Sequence, residues 1–91
     1  MKLTVRGFRK VTLKKFKNVK ANPLCAIHPK NQKKLRISLG DIMVNDSSAR
    51  LIDGSSDEFI GMTQTLRENL SVENGQIVEA TFEDSVLKIG I

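Results

Sequence analysis

Cys25 and His28 are the only thiol and the only imidazole in the chain, and they stand three residues apart. A nucleophile and its base must come within hydrogen-bond reach. In an extended segment, residues three apart point to opposite faces, and the apolar run Leu24–Ile27 is extended in character. Both residues are therefore expected to be structural, with His28 in a capping or packing role. One Cys and one His leave no Cys/His metal set and no internal disulfide, which fits a reducing cytoplasm. There is no Asp-x-Asp-x-Asp run to hold magnesium and no glycine-rich phosphate loop. The expectation is a chain without enzymatic chemistry or cofactor.

Charge is the second source of chemistry. Residues 1–40 hold twelve Lys/Arg and no acid, whereas residues 41–91 hold three Lys/Arg and ten acids. Such asymmetry suits a polyanion-binding face, head-to-tail association of copies into a homo-oligomer, or mutual attraction of the halves within one fold. The candidate polyanion-binding residues are Lys14, Lys15, Lys17, Lys20, Lys30, Lys33, Lys34 and Arg36. Without function, Lys14, Lys15, Lys17 and Lys20 would form a charged edge that resists aggregation. Only Phe8 and Phe16 supply aromatic surface in the basic half. Nucleic-acid binding there would be sequence-tolerant and salt-sensitive rather than stacking-led.

The elements that must carry these residues follow from pattern. Ninety-one residues, 40 % apolar and 27 % charged, make one soluble domain with a single modest core. No apolar run is long enough to span a membrane, and Met1-Lys2 leads directly into an alternating segment, so no membrane partner or leader is expected. Strands are expected at 2–6, 10–16, 24–27, 42–44, 49–53, 59–62, 76–82 and 86–91. Val11 and Leu13 would face inward in the second of these. Residues 17–23 end in Asn-Pro and form a loop. Two short helices are expected, Pro29–Arg36 with proline at its first position and Gln64–Ser71 capped by the Thr63 hydroxyl.

The chain also repeats itself. A shift of 35 residues lays 25–44 on 60–79 without a gap, matching Leu35 with Leu70, Gly40 with Gly75 and Ile42 with Ile77. Gly40 and Gly75 are positioned to take positive φ where the chain reverses. Asp41 is expected to fix the first turn with its carboxylate, and Gln76 stands in its place in the second. Copies at about 13–47 and 48–82 are too short to bury separate cores, so they share one. The expected fold is mainly β, a closed pseudo-twofold barrel with two short helices and extra strands at both ends.

An apolar strand leading to a short helix with a late leucine and then Gly-Asp-apolar-apolar occurs at Ile27–Val44 and, with Gly75-Gln76, at Ile60–Val78. On these motifs the chain resembles double-psi β-barrels, above all the amino-terminal subdomain of archaeal valosin-containing-protein-like AAA ATPases. The resemblance covers residues 11–82, and Gln76 departs from the usual acid. A tandem pair of AbrB-type swapped hairpins shares the local motif and is the alternative architecture. Self-cleaving decarboxylase barrels need a Gly-Ser where this chain has Pro23-Leu24; its Gly54-Ser55 lies in the other half. The resemblance implies a protein-interaction or adaptor module, with an acidic surface or protein as partner. DNA or RNA binding through the basic half is the alternative.

Overall fold

Alternation places Leu3 and Val5 of β1 (Lys2–Arg6) in the interior and Lys2 and Arg6 in solvent. The computed structural model describes all 91 residues. After β1 come α1 (Lys10–Leu13), β2 (Leu24–Ile27), α2 (Pro29–Leu35), β3 (Gly40–Val44), β4 (Ser47–Asp53), β5 (Phe59–Met62), α3 (Gln64–Leu70), β6 (Ile77–Glu83) and β7 (Val86–Gly90). The seven strands close into a barrel in the order β1-β5-β2-β4-β3-β7-β6. Closure leaves no open edge for another chain to pair with.

Pairing exposes the twofold relation. β1 runs parallel to β5 and antiparallel to β6, while β4 runs parallel to β2 and antiparallel to β3. β2 and β5 pair antiparallel with each other across the axis. Val5 is level with Ile60 as Leu51 is level with Cys25. Cys25 and Ile60 are related by the 35-residue shift, whereas Val5 and Leu51 lie 46 apart. The first copy therefore has eleven extra residues between its first two strands, within the Gly7–Pro23 connection. β7 has no counterpart: it runs parallel to β3 and antiparallel to β6, standing between the two strands that the symmetry would otherwise pair.

The insertion explains the largest departure from the pattern-based expectation. Residues 10–16 are not a strand. Lys10–Leu13 is one helical turn, with the Leu13 and Lys14 amides donating to the Arg9 and Lys10 carbonyls at 3.1 Å. Val11, expected inward, is 64 % exposed. Four alternating residues fit a strand, but the place beside β5 is already filled by β1, which is integral to the barrel. Tertiary pairing overrides local β preference.

The core comes from alternating strand positions, among them Ile27, Leu51, Ile60, Met62, Val78 and Leu87, with Leu66 entering from α3. Ile37 and Val72, one after each helix end, are buried in the same core, and Leu35 and Leu70 pack on its margin. Each helix stops one residue before its expected end. Arg36 (φ 60°) and Ser71 (φ 57°) are left-handed caps, and their amides donate to the Lys33 and Glu68 carbonyls. His28 caps α2 as expected, its Nδ1 accepting from the Lys30 amide at 3.1 Å. Thr63 does not cap α3: its buried hydroxyl accepts instead from the Leu24 amide at 3.2 Å, joining β5 to β2. No helix is long and apolar enough to cross a membrane.

Gly40 and Gly75 have φ of 122° and 87°, and an added Cβ would meet nothing within 4 Å at either. Backbone angle, not crowding, requires glycine there. The turn chemistry reverses the expected roles. The Asp41 carboxylate makes no hydrogen bond; Asp41 pairs in the ladder opposite Arg50 with its side chain exposed. The Gln76 Oε1 accepts from the Glu73 amide at 3.0 Å and closes the second turn. Asp41 is already within β3, too late to bond the turn, whereas β6 begins one residue after Gln76.

Candidate functional site

The Gly7–Pro23 insertion covers the outer face of the central strands. Leu24 and Ala26 of β2 point away from the core cluster yet are 2 % and 5 % exposed. The Phe8 ring lies against this face: a Cβ added to Gly61 would come within 3.1 Å of it and 2.9 Å of the Ala26 methyl. Gly61 lets the ring and the sheet meet.

This covering creates clefts at its margins. The largest, about 560 Å³, lies over the end of the β1–β5 pair. It is lined by Thr4, Val5, Arg6 and Phe59 from the strands, by Gly7, Phe8 and Leu13 from the insertion, and by Thr63, Gln64 and Arg67 at the start of α3, with Asn74 and Gly75 beyond. Two guanidinium groups line it and no carboxylate does. The Arg6 guanidinium sits 4.5 Å from the centre of the Phe59 ring, a cation–π arrangement. Arg67 donates through Nη1 to the Met62 carbonyl. Neither has an acidic partner within ion-pair distance. A second cleft of about 380 Å³ shares Arg6, Gly7, Phe8 and Phe59 and extends toward Asp53 and Ser56. A third, about 280 Å³, opens at the start of β2 and β4 and includes Phe16, Lys17, Asp41 and Arg50.

All eight candidate cations are exposed. Lys14, Lys15, Lys17 and Lys20 precede β2; Lys30, Lys33, Lys34 and Arg36 follow it. Leu24 is level with Arg50 at one end of the β2–β4 pair and Ile27 with Asp53 at the other, roughly 10 Å away. The two groups thus attach to opposite ends of one strand rather than to a single groove. Lys17 alone among them lines one of the three clefts. Of the twelve Lys/Arg in residues 1–40, only Lys30 has an acidic partner, Asp57 at 3.7 Å, and the Met1 amine adds one exposed pair with Glu79. Internal attraction between the oppositely charged halves is therefore slight, because exposed pairs contribute little.

Cys25 lies in the core cluster and His28 at the start of α2. The thiol is fully buried, and desolvation pushes its pKa up to about 12, so it carries no thiolate at neutral pH. His28 is occupied as the α2 cap.

Arg6, Arg67 and Phe59 were not legible as a group in the sequence. An ungapped shift of 35 residues pairs the wrong segments before residue 24. The 46-residue offset of the first strands is the signal that would have found them, because it sets Gly7 against Asp53.

No protein-family model and no curated protein matches this chain. Its likeness is to solved structures of designed proteins. With the rationally designed mkDPBB_sym_86 it shares 20 % identity and a TM-score of 0.62, over 99 % of this chain and 91 % of that one. With the rationally designed mkDPBB_sym1 and apDPBB_sym_79 the identities are 19 % and 17 %, each at a TM-score of 0.60 over 85 % of this chain, covering 91 % and 90 % of theirs. The swapped-hairpin alternative is set aside, since these neighbours are double-psi barrels. Closed pairing, crossed parallel strands and this likeness lead to one architecture: the chain is a double-psi β-barrel.

Proposed function

We propose that this barrel is a non-enzymatic docking module that receives a segment of a partner protein in the cleft between β1, β5, the Gly7–Pro23 insertion and α3. The observation that carries this reading is the cleft's lining. Phe8, Leu13 and Phe59 offer apolar surface beside the polar Thr4, Thr63, Gln64 and Asn74. Mixed linings of that kind suit peptide segments, which bring apolar side chains and polar backbone together. The likeness of the Leu35 to Gly40-Asp41 and Leu70 to Gly75-Gln76 motifs to the amino-terminal barrel of valosin-containing-protein-like ATPases supports an adaptor role. A single free thiol with no disulfide partner suits a cytoplasmic setting.

The test is selection of displayed random dodecapeptides on the intact chain, followed by mapping of backbone amide shifts with the winning peptides. Shifts clustered at Thr4, Thr63 and Gln64 are expected. Perturbations confined to α2 or to 14–20 would overturn the reading.

A second reading, sequence-tolerant nucleic-acid binding, is favoured by one observation: Lys33, Lys34 and Arg36 cluster at the end of α2 with no acid partner. Labelled single- and double-stranded DNA and RNA at about 50 mM salt test it, since phosphate contacts are strongest there. Lys30, Lys33 and Lys34 changed together to Glu should abolish any binding. Unchanged affinity would place the contact elsewhere.

A further inference from the structure

The two halves hold the same hydrogen bond, completed differently. In α2, the Gln32 Nε2 donates to the carbonyl of Ile27, the last residue of β2, at 2.7 Å. In α3, 35 residues on, Arg67 Nη1 donates to the carbonyl of Met62, the last residue of β5. Gln32 also donates to a carboxylate oxygen of Asp53 at 2.7 Å. Asp53 is level with Ile27 in the β2–β4 ladder, and the residue next after the Arg6–Gly61 pair, level with Met62, is Gly7. The half with a neutral amide has a carboxylate beside it, while the half with a guanidinium has a glycine.

We propose that the cleft face of the Arg67 guanidinium, whose counterpart Gln32 is bonded to the Asp53 carboxylate, is a recognition site for the Asp or Glu side chain of a docked peptide. This deepens the docking reading above and rests on it. The observations converge on an anion. Glycine at position 7 admits the guanidinium itself: a Cβ there would lie 2.8 Å from Arg67 Nη1 and 3.4 Å from the Asn74 amide oxygen, so Arg67 rests against the backbone where the other half has the Asp53 side chain. The Arg67 guanidinium keeps donors beyond the one used on Met62, in the fork geometry that suits carboxylates. Arg6 adds a second positive charge in the same cleft, and no acid lines it. Phe59 and Leu13 border the site and suit an apolar residue next to the acid in the peptide. A carboxylate is favoured over a phosphate because the counterpart side chain, Gln32, takes a carboxylate as its partner.

The geometry can be tested without a peptide. Gly7 has no positive φ, so its backbone accepts an L-residue, and the end of Arg67, held by its bond to the Met62 carbonyl, must shift alike for both variants below. Gly7→Asp should melt at least about 2 °C above Gly7→Asn, a difference on the scale of one ion pair. That difference should vanish in an Arg67→Gln background. Equal melting of the two Gly7 variants would overturn the proposed placement of the carboxylate.

Dodecapeptides selected from a displayed random library on the intact chain test recognition. Expected is a shared Asp or Glu whose replacement by Asn or Gln weakens binding at least about tenfold, as loss of a charge-assisted hydrogen bond does. Arg67→Gln and Gly7→Asp should each weaken it similarly, while Gly7→Asn retains more binding than Gly7→Asp. Peptides that bind in the cleft without an acid and ignore Arg67→Gln would overturn carboxylate recognition while leaving the docking reading intact. Peptides that bind elsewhere, or none at all, would overturn both. Displacement by a single-stranded oligonucleotide, lost in Arg67→Gln, would assign the site to phosphate and overturn the proposal.

Discussion

Asn31 and Leu66 occupy the same place in the two halves, the third position of α2 and of α3, and both are buried. One is polar and the other joins the core. Their difference follows from the connections rather than the strands. In the second copy the link from β4 to β5 is short and passes α2, so the Asn31 amide reaches the Asp57 carbonyl at 2.8 Å. In the first copy the longer Gly7–Pro23 link runs over the outer face instead. The symmetry relates backbones, and each connection sets the chemistry of the helix beside it.

The sharpest test of that comparison is truncation at both places. Leu66→Ala should cost about 2–5 kcal/mol, because it removes a fully buried side chain and leaves a cavity. Asn31→Ala should cost less, about 1–3 kcal/mol, the range for leaving a carbonyl without its donor. Urea denaturation of the two variants measures both. Equal losses would mean that Asn31 packs as a core residue and that its hydrogen bond is incidental.

The next effect concerns β7, the strand without a counterpart. Asn45, at the tight turn between β3 and β4, holds it with both ends of its amide. Nδ2 donates to the Ile89 carbonyl at 3.0 Å, and Oδ1 accepts from the Ile89 amide at 2.8 Å. The side chain thereby extends the β3–β7 ladder by one pair. Ala80 stands at the equivalent place in the second copy and makes no such bond through its side chain. Asn45→Ala should cost about 1–3 kcal/mol. Hydrogen exchange at the Ile89 amide should accelerate more than exchange at Val78 or Ala80. Uniform acceleration across the barrel would show that β7 does not open by itself.

A smaller difference separates the two turn glycines. At 122°, the φ of Gly40 lies well outside the left-handed helical well, whereas the 87° of Gly75 is nearer to it. Gly40→Ala should therefore destabilise more, by about 1–3 kcal/mol against about 1–2 kcal/mol for Gly75→Ala. Thermal melts of the pair check the order. A larger loss at Gly75 would indicate that the Gln76 clamp tolerates less backbone adjustment than the plain first turn.

These comparisons also show why the sequence was legible in some places and not in others. The strand–helix–glycine run was visible because Leu35 and Leu70, Gly40 and Gly75, and the apolar strands answer to one backbone at a constant offset. Closed architecture followed because each copy was too short to bury a core alone. β1 escaped notice as part of the repeat because the insertion changes the offset to 46, and residues 10–16 alternate well enough to take its place on paper. Asp41 looked like the turn residue from its type, yet position within β3 prevents it from bonding the turn, whereas Gln76 lies one residue outside its strand. The eight exposed cations stood out because charge is visible in composition. The cleft containing Arg6 and Arg67 did not, since those residues are 61 positions apart and only the β1–β5 pairing brings Arg6 beside the strand that leads into α3.

The smallest predicted effect lies where β1 meets β6. The Met1 amine donates to Glu79 Oε1 at 2.7 Å and to the Ala80 carbonyl at 3.1 Å. The hydrogen bond from the amine, aided by its charge and that of Lys2, holds the Glu79 carboxyl below its ordinary value. A carboxylate with a lowered folded pKa adds stability above its unfolded pKa and loses it as pH falls through the folded one. Glu79→Gln should therefore melt slightly below the native chain at neutral pH, and the two should converge as the medium is acidified through the carboxylate range. Glu79 is exposed and screened by solvent, so the gap should also narrow with salt. β4, the counterpart of β1, is an internal strand with no terminal charge. Parallel melting curves for Glu79→Gln and the native chain at every pH would show that the terminal amine is held by the Ala80 carbonyl and that the ion pair contributes nothing.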